Sequence, residues 1–87
     1  TKAIEINPND SEVYFNRGIS KANVKDYYGA ISDSTKAIEI NPNQNGAYKI
    51  RGVVKELTGD MSGACYDWKK ASSLGDKVAA NWVANLC

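Results

Sequence analysis

The sequence predicts an all-α fold in which antiparallel helix–turn–helix units stack side by side. Residues 1–9, with the sequence TKAIEINPN, return unchanged at residues 35–43, thirty-four positions later in a chain of 87 residues. A fixed period of about 20–50 residues indicates a stack of supersecondary units, each of which buries its apolar face only against its neighbours. The residues between the two copies recur at helical spacing, so the units are expected to be helical.

The first helix of the first unit is predicted from Ser11 to Val24. Tyr14, Gly18 and Ala22 recur at four-residue spacing, which places them on one face of an amphipathic helix. Pro8 must end the preceding helix, and the polar residues that follow it supply a side-chain oxygen to cap the new one. The start of this helix is therefore clearly marked.

A short turn separates the two helices of each unit. Asp26 is the expected N-cap of a second helix from Tyr27 to about Ile40, and Asp60 holds the equivalent place in the next unit. Gly59 can adopt the left-handed conformation that often ends a helix without strain, whereas Lys25 would adopt it at some cost. The first turn is thus expected to be the softer one.

The second unit repeats the pattern and a further helix follows it. Helices are predicted from about Asn45 to Thr58, from Met61 to about Leu74, and from Lys77 to Leu86. The last of these is expected to act as a lid, since a terminal repeat needs a polar outer face. Its polar residues are Asn81 and Asn85.

Several other residues recur at the thirty-four-residue offset. The pairs are Tyr14 with Tyr48, Gly18 with Gly52, Ala30 with Ala64, Ala37 with Ala71, and Pro8 with Pro42. Helices that cross closely need small residues at the contact, here Gly18 against Ala30. The pattern resembles the tetratricopeptide repeat, which implies a right-handed superhelical α-solenoid.

The resemblance covers nearly the whole chain as a single domain, residues 1–87. It implies a half repeat at residues 1–10, full repeats at 11–44 and 45–78, and a capping helix at about 77–86. Because Thr1 lies inside the second half of a repeat, the chain is expected to be a piece of a longer array.

Two positions of the repeat depart from the family pattern, at three residues of this chain. Ser34 stands where the family usually has a large aromatic residue, and its counterpart Trp68 keeps one, so the C-terminal half is expected to be more stable. Arg17 and Arg51 replace the usual Leu. Their apolar stems are expected to pack along the neighbouring helix while the guanidinium reaches solvent or an acidic partner.

The resemblance also implies a function: the first helix of each repeat lines a concave groove that binds a protein or peptide. Phe15 and Ile50 would be its apolar anchors, and Asn16 would bond the peptide backbone. In an equally weighted alternative, the apolar members of the wall are simply buried by adjacent helices. The predicted groove residues are Glu12, Phe15, Asn16, Ile19, Asn23, Lys49, Ile50, Val53, Glu56 and Leu57.

Some family members hold a C-terminal carboxylate with a clamp of Lys, Asn and Arg residues. In this chain only Asn16 matches that clamp, while Gly46 and Ile50 stand where Lys and Arg would be needed. Lys49 and Arg51 flank Ile50 but point elsewhere, since neighbours on a helix are separated by about 100°. A carboxylate clamp is therefore not expected.

The charge balance argues against nucleic-acid and membrane partners. The chain has eleven basic and ten acidic residues, so it has no broad positive field. No apolar run approaches the about 20 residues of a membrane span, and a soluble protein is expected, with the cytoplasm favoured.

The charged residues of the second helices are assigned to a solvated face: Asp33, Lys36, Glu39, Asp67, Lys69 and Lys70. The aromatic residues there are assigned to packing between repeats: Tyr27, Tyr28, Tyr66 and Trp68.

Catalysis is not expected, because the chain contains no His, no nucleophile elbow and no phosphate-binding Gly-rich loop. Cys65 and Cys87 fit no zinc or redox motif, so neither a metal nor a cofactor is expected. Cys65 is interpreted as a small buried apolar residue. Cys87 could cross-link two molecules under oxidising conditions.

An alternative function is architectural: a module that stacks on further repeats or on another copy of itself. A half repeat of some six residues is too short to form a stable helix alone. Fraying there would expose the apolar side of Tyr14 and its helix. A homodimer through this N-terminal end is the corresponding expectation.

Overall fold

The computed structural model of the chain describes residues 10–87, which form five α-helices and no strand. The predicted half repeat at the N-terminus lies almost wholly outside these residues. The helices are α1 (Ser11–Asn23), α2 (Tyr27–Ile40), α3 (Asn45–Leu57), α4 (Met61–Ser73) and α5 (Lys77–Leu86). Consecutive helices pack against each other, and α1 also contacts α3, so the all-α helical repeat is confirmed.

Aspartate side chains begin four of the five helices. Asp10, Asp26, Asp60 and Asp76 each accept a hydrogen bond from a backbone amide two or three residues further on, at 2.9–3.1 Å for the best bond of each. Such caps satisfy amides that have no partner within the helix. The predicted caps at Asp26 and Asp60 are confirmed. Gln44, before α3, makes no side-chain cap.

Three residues in the left-handed region end α1, α3 and α4. Lys25 has φ 68°, Gly59 has φ 90° and Gly75 has φ 102°. Glycine has no Cβ to clash there, whereas lysine carries some strain. The predicted difference between the two interhelical turns is therefore present in the backbone.

Two glycines let the helices of each unit cross closely. A Cβ added at Gly18 would lie 3.4 Å from the Ala30 carbonyl oxygen, which confirms the predicted contact. A Cβ added at Gly52 would lie 2.5 Å from Nε1 of Trp68 and 3.1 Å from the Ala64 carbonyl oxygen. The second crossing therefore requires glycine at position 52, because any larger residue would press against Trp68.

The main apolar cluster lies in α3, α4 and α5. Its buried members are Tyr48, Ala64, Trp68, Ala71 and Ala79. In the first unit Ser34 is completely buried, and within residues 10–87 its hydroxyl has no hydrogen-bond partner. A buried polar atom without a partner costs free energy, which favours the prediction of a more stable C-terminal half.

The assignment of Asp33 and Asp67 to a solvated face is wrong. Asp33 is buried and accepts hydrogen bonds from the Arg17 guanidinium at 2.8 and 2.9 Å. Asp67 accepts the same bidentate pair of hydrogen bonds from the Arg51 guanidinium, at 2.9 and 2.8 Å. Each carboxylate also meets a lysine four residues after the arginine, at 3.2 Å. The arginines therefore reach acidic partners, one of the two predicted outcomes.

The remaining charged residues of the second helices are exposed as predicted: Lys36, Glu39, Lys69 and Lys70. Their neighbours in the sequence point to other faces because successive residues of a helix are rotated by about 100°. The regular spacing of charges concealed this difference, since only the two aspartates face the arginines of the first helices.

The assignment of all four aromatic residues to packing between repeats is also wrong in part. Trp68 is buried, but Tyr28 is 78% exposed and Tyr66 is 67% exposed. These two tyrosines therefore lie on the outer surface.

The two cysteines form a disulfide within the chain. The bond joins Cys65 of α4 to Cys87, directly after α5, with the two Cα atoms 5.9 Å apart. Cys65 is only partly buried, so its interpretation as a buried apolar residue is wrong. The pairing requires α5 to fold back on α4, a tertiary arrangement that cysteine spacing does not reveal.

Candidate functional site

A largely apolar groove of about 350 Å³ lies where α1, α3 and α5 meet. Gly46, at the first turn of α3, allows the Phe15 ring to lie close, since a Cβ there would be 2.8 Å from its Cζ. The groove is lined by Phe15, Ile19, Gly46, Lys49, Ile50, Val53 and Trp82.

Five of the ten predicted groove residues line this cavity. They are Phe15, Ile19, Lys49, Ile50 and Val53, and all are partly buried. None is fully covered by the adjacent helices, so each retains surface that a ligand can contact.

The other five predicted groove residues are exposed and do not line the cavity. Leu57, the apolar member of this set, is 57% exposed. The set consists of Glu12, Asn16, Asn23, Glu56 and Leu57. Glu12 also accepts a hydrogen bond from the Gln44 side chain at 3.2 Å, which links the start of α1 to the start of α3.

Sequence reasoning missed Trp82, the part of the lining that α5 supplies. A signal was available, because Trp82 lies thirty-four residues after Tyr48. That offset makes α5 the equivalent of a first helix, whose inner face continues the wall formed by α1 and α3. The indole packs against the buried Trp68 in a tilted arrangement, with 5.1 Å between the ring centroids and 58° between the ring planes.

The lysine in the groove is paired with a carboxylate of the chain itself. Lys49 Nζ lies 3.2 Å from Oδ2 of Asp76, the residue that caps α5. Burial acts to raise the pKa of Asp76, but hydrogen bonds from the Ala79 amide and Lys49 outweigh it and the pKa is lowered. The carboxylate therefore stays ionised and balances the charge of Lys49.

A second, more open depression lies between α4 and the C-terminal end of α5. It has a volume of about 480 Å³ and contains the disulfide. Its lining residues are Met61, Ser62, Cys65, Tyr66, Lys69, Leu86 and Cys87.

Within residues 10–87, no group of three or more His, Cys, Asp or Glu side chains is placed to hold a metal ion. Over the same residues, every helix is too short or too polar to cross a membrane.

Comparison with known proteins supports the resemblance noted in the sequence. The family model described as tetratricopeptide repeat matches residues 1–32. Together with the five consecutively packed helices, this match confirms that the chain resembles the tetratricopeptide repeat. The family indicates a protein–protein interaction scaffold, and its repeats are typically non-catalytic. No curated protein matches the chain.

Proposed function

We propose that the chain is a non-catalytic interaction module that binds an uncharged, apolar segment of a peptide in the groove between α1, α3 and α5. The observation that carries this proposal is a concave surface on which five apolar side chains remain partly exposed. They are Phe15, Ile19, Ile50, Val53 and Trp82. Buried aromatic and aliphatic anchors of this kind contribute most of the energy in peptide recognition.

The volume and the charges of the groove favour this ligand over others. A volume of about 350 Å³ is near the small end of the range for ligand pockets, about 300–1,000 Å³, and suits a few side chains. Lys49 Nζ already lies 3.2 Å from Oδ2 of Asp76. A peptide carboxylate would have to compete with Asp76 for this lysine. An internal segment with large apolar side chains avoids that competition.

The exposed polar residues beside the groove complete the proposed site. Asn16 and Asn23 lie exposed on α1, and each amide can both donate to and accept from a peptide backbone. They would orient the segment, while the apolar groove would supply the affinity.

The test compares Ile50→Glu with Leu57→Glu, two substitutions in α3. Peptides selected from a random-sequence library on the unmodified chain serve as the probe. We expect the selected peptides to share large apolar residues, to bind Ile50→Glu at least about tenfold more weakly because a charge would be buried, and to bind Leu57→Glu normally. Helical circular dichroism should show that both variants fold.

Equal binding of the peptides to both variants would exclude this groove as the site. Light scattering of the unmodified chain tests the architectural alternative at the same time. A dimer whose formation is unaffected by Ile50→Glu and competes with peptide capture would favour self-association instead.

A further inference from the structure

We propose that the disulfide between Cys65 and Cys87 is a redox-sensitive clasp that holds α5, and with it the Trp82 wall of the groove, in place. Reduction by a dithiol would release the C-terminal part of α5 and weaken peptide binding. The consequence for binding rests on the proposed function, whereas the release of α5 does not.

The helix that the clasp holds has few other attachments. α5 packs mainly on α4, and within Lys77–Leu86, all of which the structure describes, Ala79 is the only buried residue. Isolated helices shorter than about 12–15 residues are marginal in water, and α5 has only ten residues. Its helical structure therefore depends on being held against α4.

The attachments are unevenly distributed along α5. The N-terminal end is held by the ion pair between Asp76 and Lys49. Further along, Trp82 packs against Trp68, and Val83 packs against the apolar cluster. At the C-terminal end Leu86 is 50% exposed and contributes little packing. Beyond Val83, the covalent bond from Cys87 is thus the main restraint on the end of α5.

The disulfide is accessible to a reductant. Cys87 is exposed, Cys65 is partly exposed, and both line the open depression of about 480 Å³. A thiolate of the dithiol would attack one sulfur to form a mixed disulfide, and its second thiol would displace the other cysteine. Two electrons and two protons pass to the protein, which gains two thiols, while the dithiol becomes a disulfide.

Release of the C-terminal part of α5 would alter the groove, because Trp82 lies on α5 and also lines the groove. The indole lines the groove and covers Trp68, which is 1% exposed in the intact fold. When α5 loosens, Trp82 moves away, the groove loses one wall and Trp68 meets water. Trp68 also packs against Gly52, so the core below the groove is partly uncovered.

The test measures amide hydrogen exchange in the oxidised chain and in the chain reduced with dithiothreitol. We expect the amides of α5 to exchange at least about tenfold faster after reduction, as in local opening of a helix that has lost a cross-link. The amides of α1 and α2 should not change. A double variant, Cys65→Ser with Cys87→Ser, should match the reduced chain and ignore the reductant.

Two results would overturn the clasp: α5 amides that exchange equally in both forms, or faster exchange throughout the chain, which would mean global unfolding. Peptide affinity is measured separately on both forms. If α5 opens but the oxidised chain binds no selected peptide, the clasp stands and the proposed function fails. If α5 opens and affinity is unchanged, the inferred link between clasp and groove is wrong.

Discussion

The crossing of the two helices in each unit permits a matched pair of substitutions, Gly18→Ala and Gly52→Ala. Both glycines lie inside first helices, thirty-four residues apart, and both face the second helix of their own unit. At Gly18 the new methyl group would be 3.1 Å from Ser34 Oγ, whereas at Gly52 it would be 2.5 Å from Trp68 Nε1 and 2.6 Å from Cδ1. The same chemical change thus meets a small rotatable hydroxyl in one unit and a rigid ring in the other.

The expected free energies follow from two opposing terms. Replacing a helical Gly by Ala stabilises a helix by about 1 kcal/mol. Overpacking a full core costs about 1–3 kcal/mol, and it applies in full at Gly52, because Trp68 is buried and donates a hydrogen bond to the Lys49 carbonyl oxygen. Gly18→Ala should therefore be neutral or stabilising, and Gly52→Ala destabilising, with a difference of about 1–3 kcal/mol between them.

Urea denaturation followed by circular dichroism measures this difference through the midpoints of the two variants. Because both substitutions add one methyl group to the same helical position, helix propensity cancels in the comparison. A Gly52→Ala variant as stable as Gly18→Ala would refute the packing argument. Gly52→Leu, with a larger side chain, should be less stable than Gly52→Ala.

Three further predictions concern buried polar groups. Ser34→Ala should leave the free energy of unfolding unchanged or raise it by about 1 kcal/mol, because it removes a buried hydroxyl that has no partner among the described residues. A lowered urea midpoint would show that the hydroxyl is hydrogen-bonded. Asp67→Asn should destabilise by about 3–5 kcal/mol by leaving charges unpaired, and Asp33→Asn by less, since Arg17 is 40% exposed and Arg51 only 14%; equal losses would contradict this ranking. The Arg17 hydrogen bond lowers the pKa of Asp33 below its ordinary value of 3.8 despite burial. This ion pair therefore stabilises the fold above pH 3.8, and its contribution should be lost as the pH falls through the lowered pKa. Thermal melts of the chain and of Asp33→Asn should differ at pH 6 and converge at a pH below the lowered pKa.

Features that depend on nearby residues could be predicted from the sequence. The caps at Asp26 and Asp60 and the left-handed Gly59 follow from side chains and backbone preferences within one turn. The helix bounds were predicted within one residue of the observed ends. The contact of Gly18 with Ala30 was also correctly predicted, because the thirty-four-residue repeat displays the small residues at each crossing twice.

The failed predictions concern the orientation of residues relative to other helices. Asp33 and Asp67 pair with arginines sixteen residues earlier, and the charge pattern of α2 and α4 alone did not distinguish them from their exposed neighbours. Tyr66 was assigned to packing, yet it points outward. In the groove, Trp82 was missed because α5 was treated only as a lid.

The sequence by itself determined the repeat period, the helices and the turns, because these depend on local preference and on a pattern that occurs twice in the chain. Only the tertiary structure decided which carboxylates are buried, that Cys65 bonds to Cys87 across a sequence separation of 22, and that Trp82 joins Phe15 and its neighbours in one groove. The physical reason is that these contacts depend on the angles at which whole helices pack. Each packing angle is set by many small side-chain contacts spread over the chain.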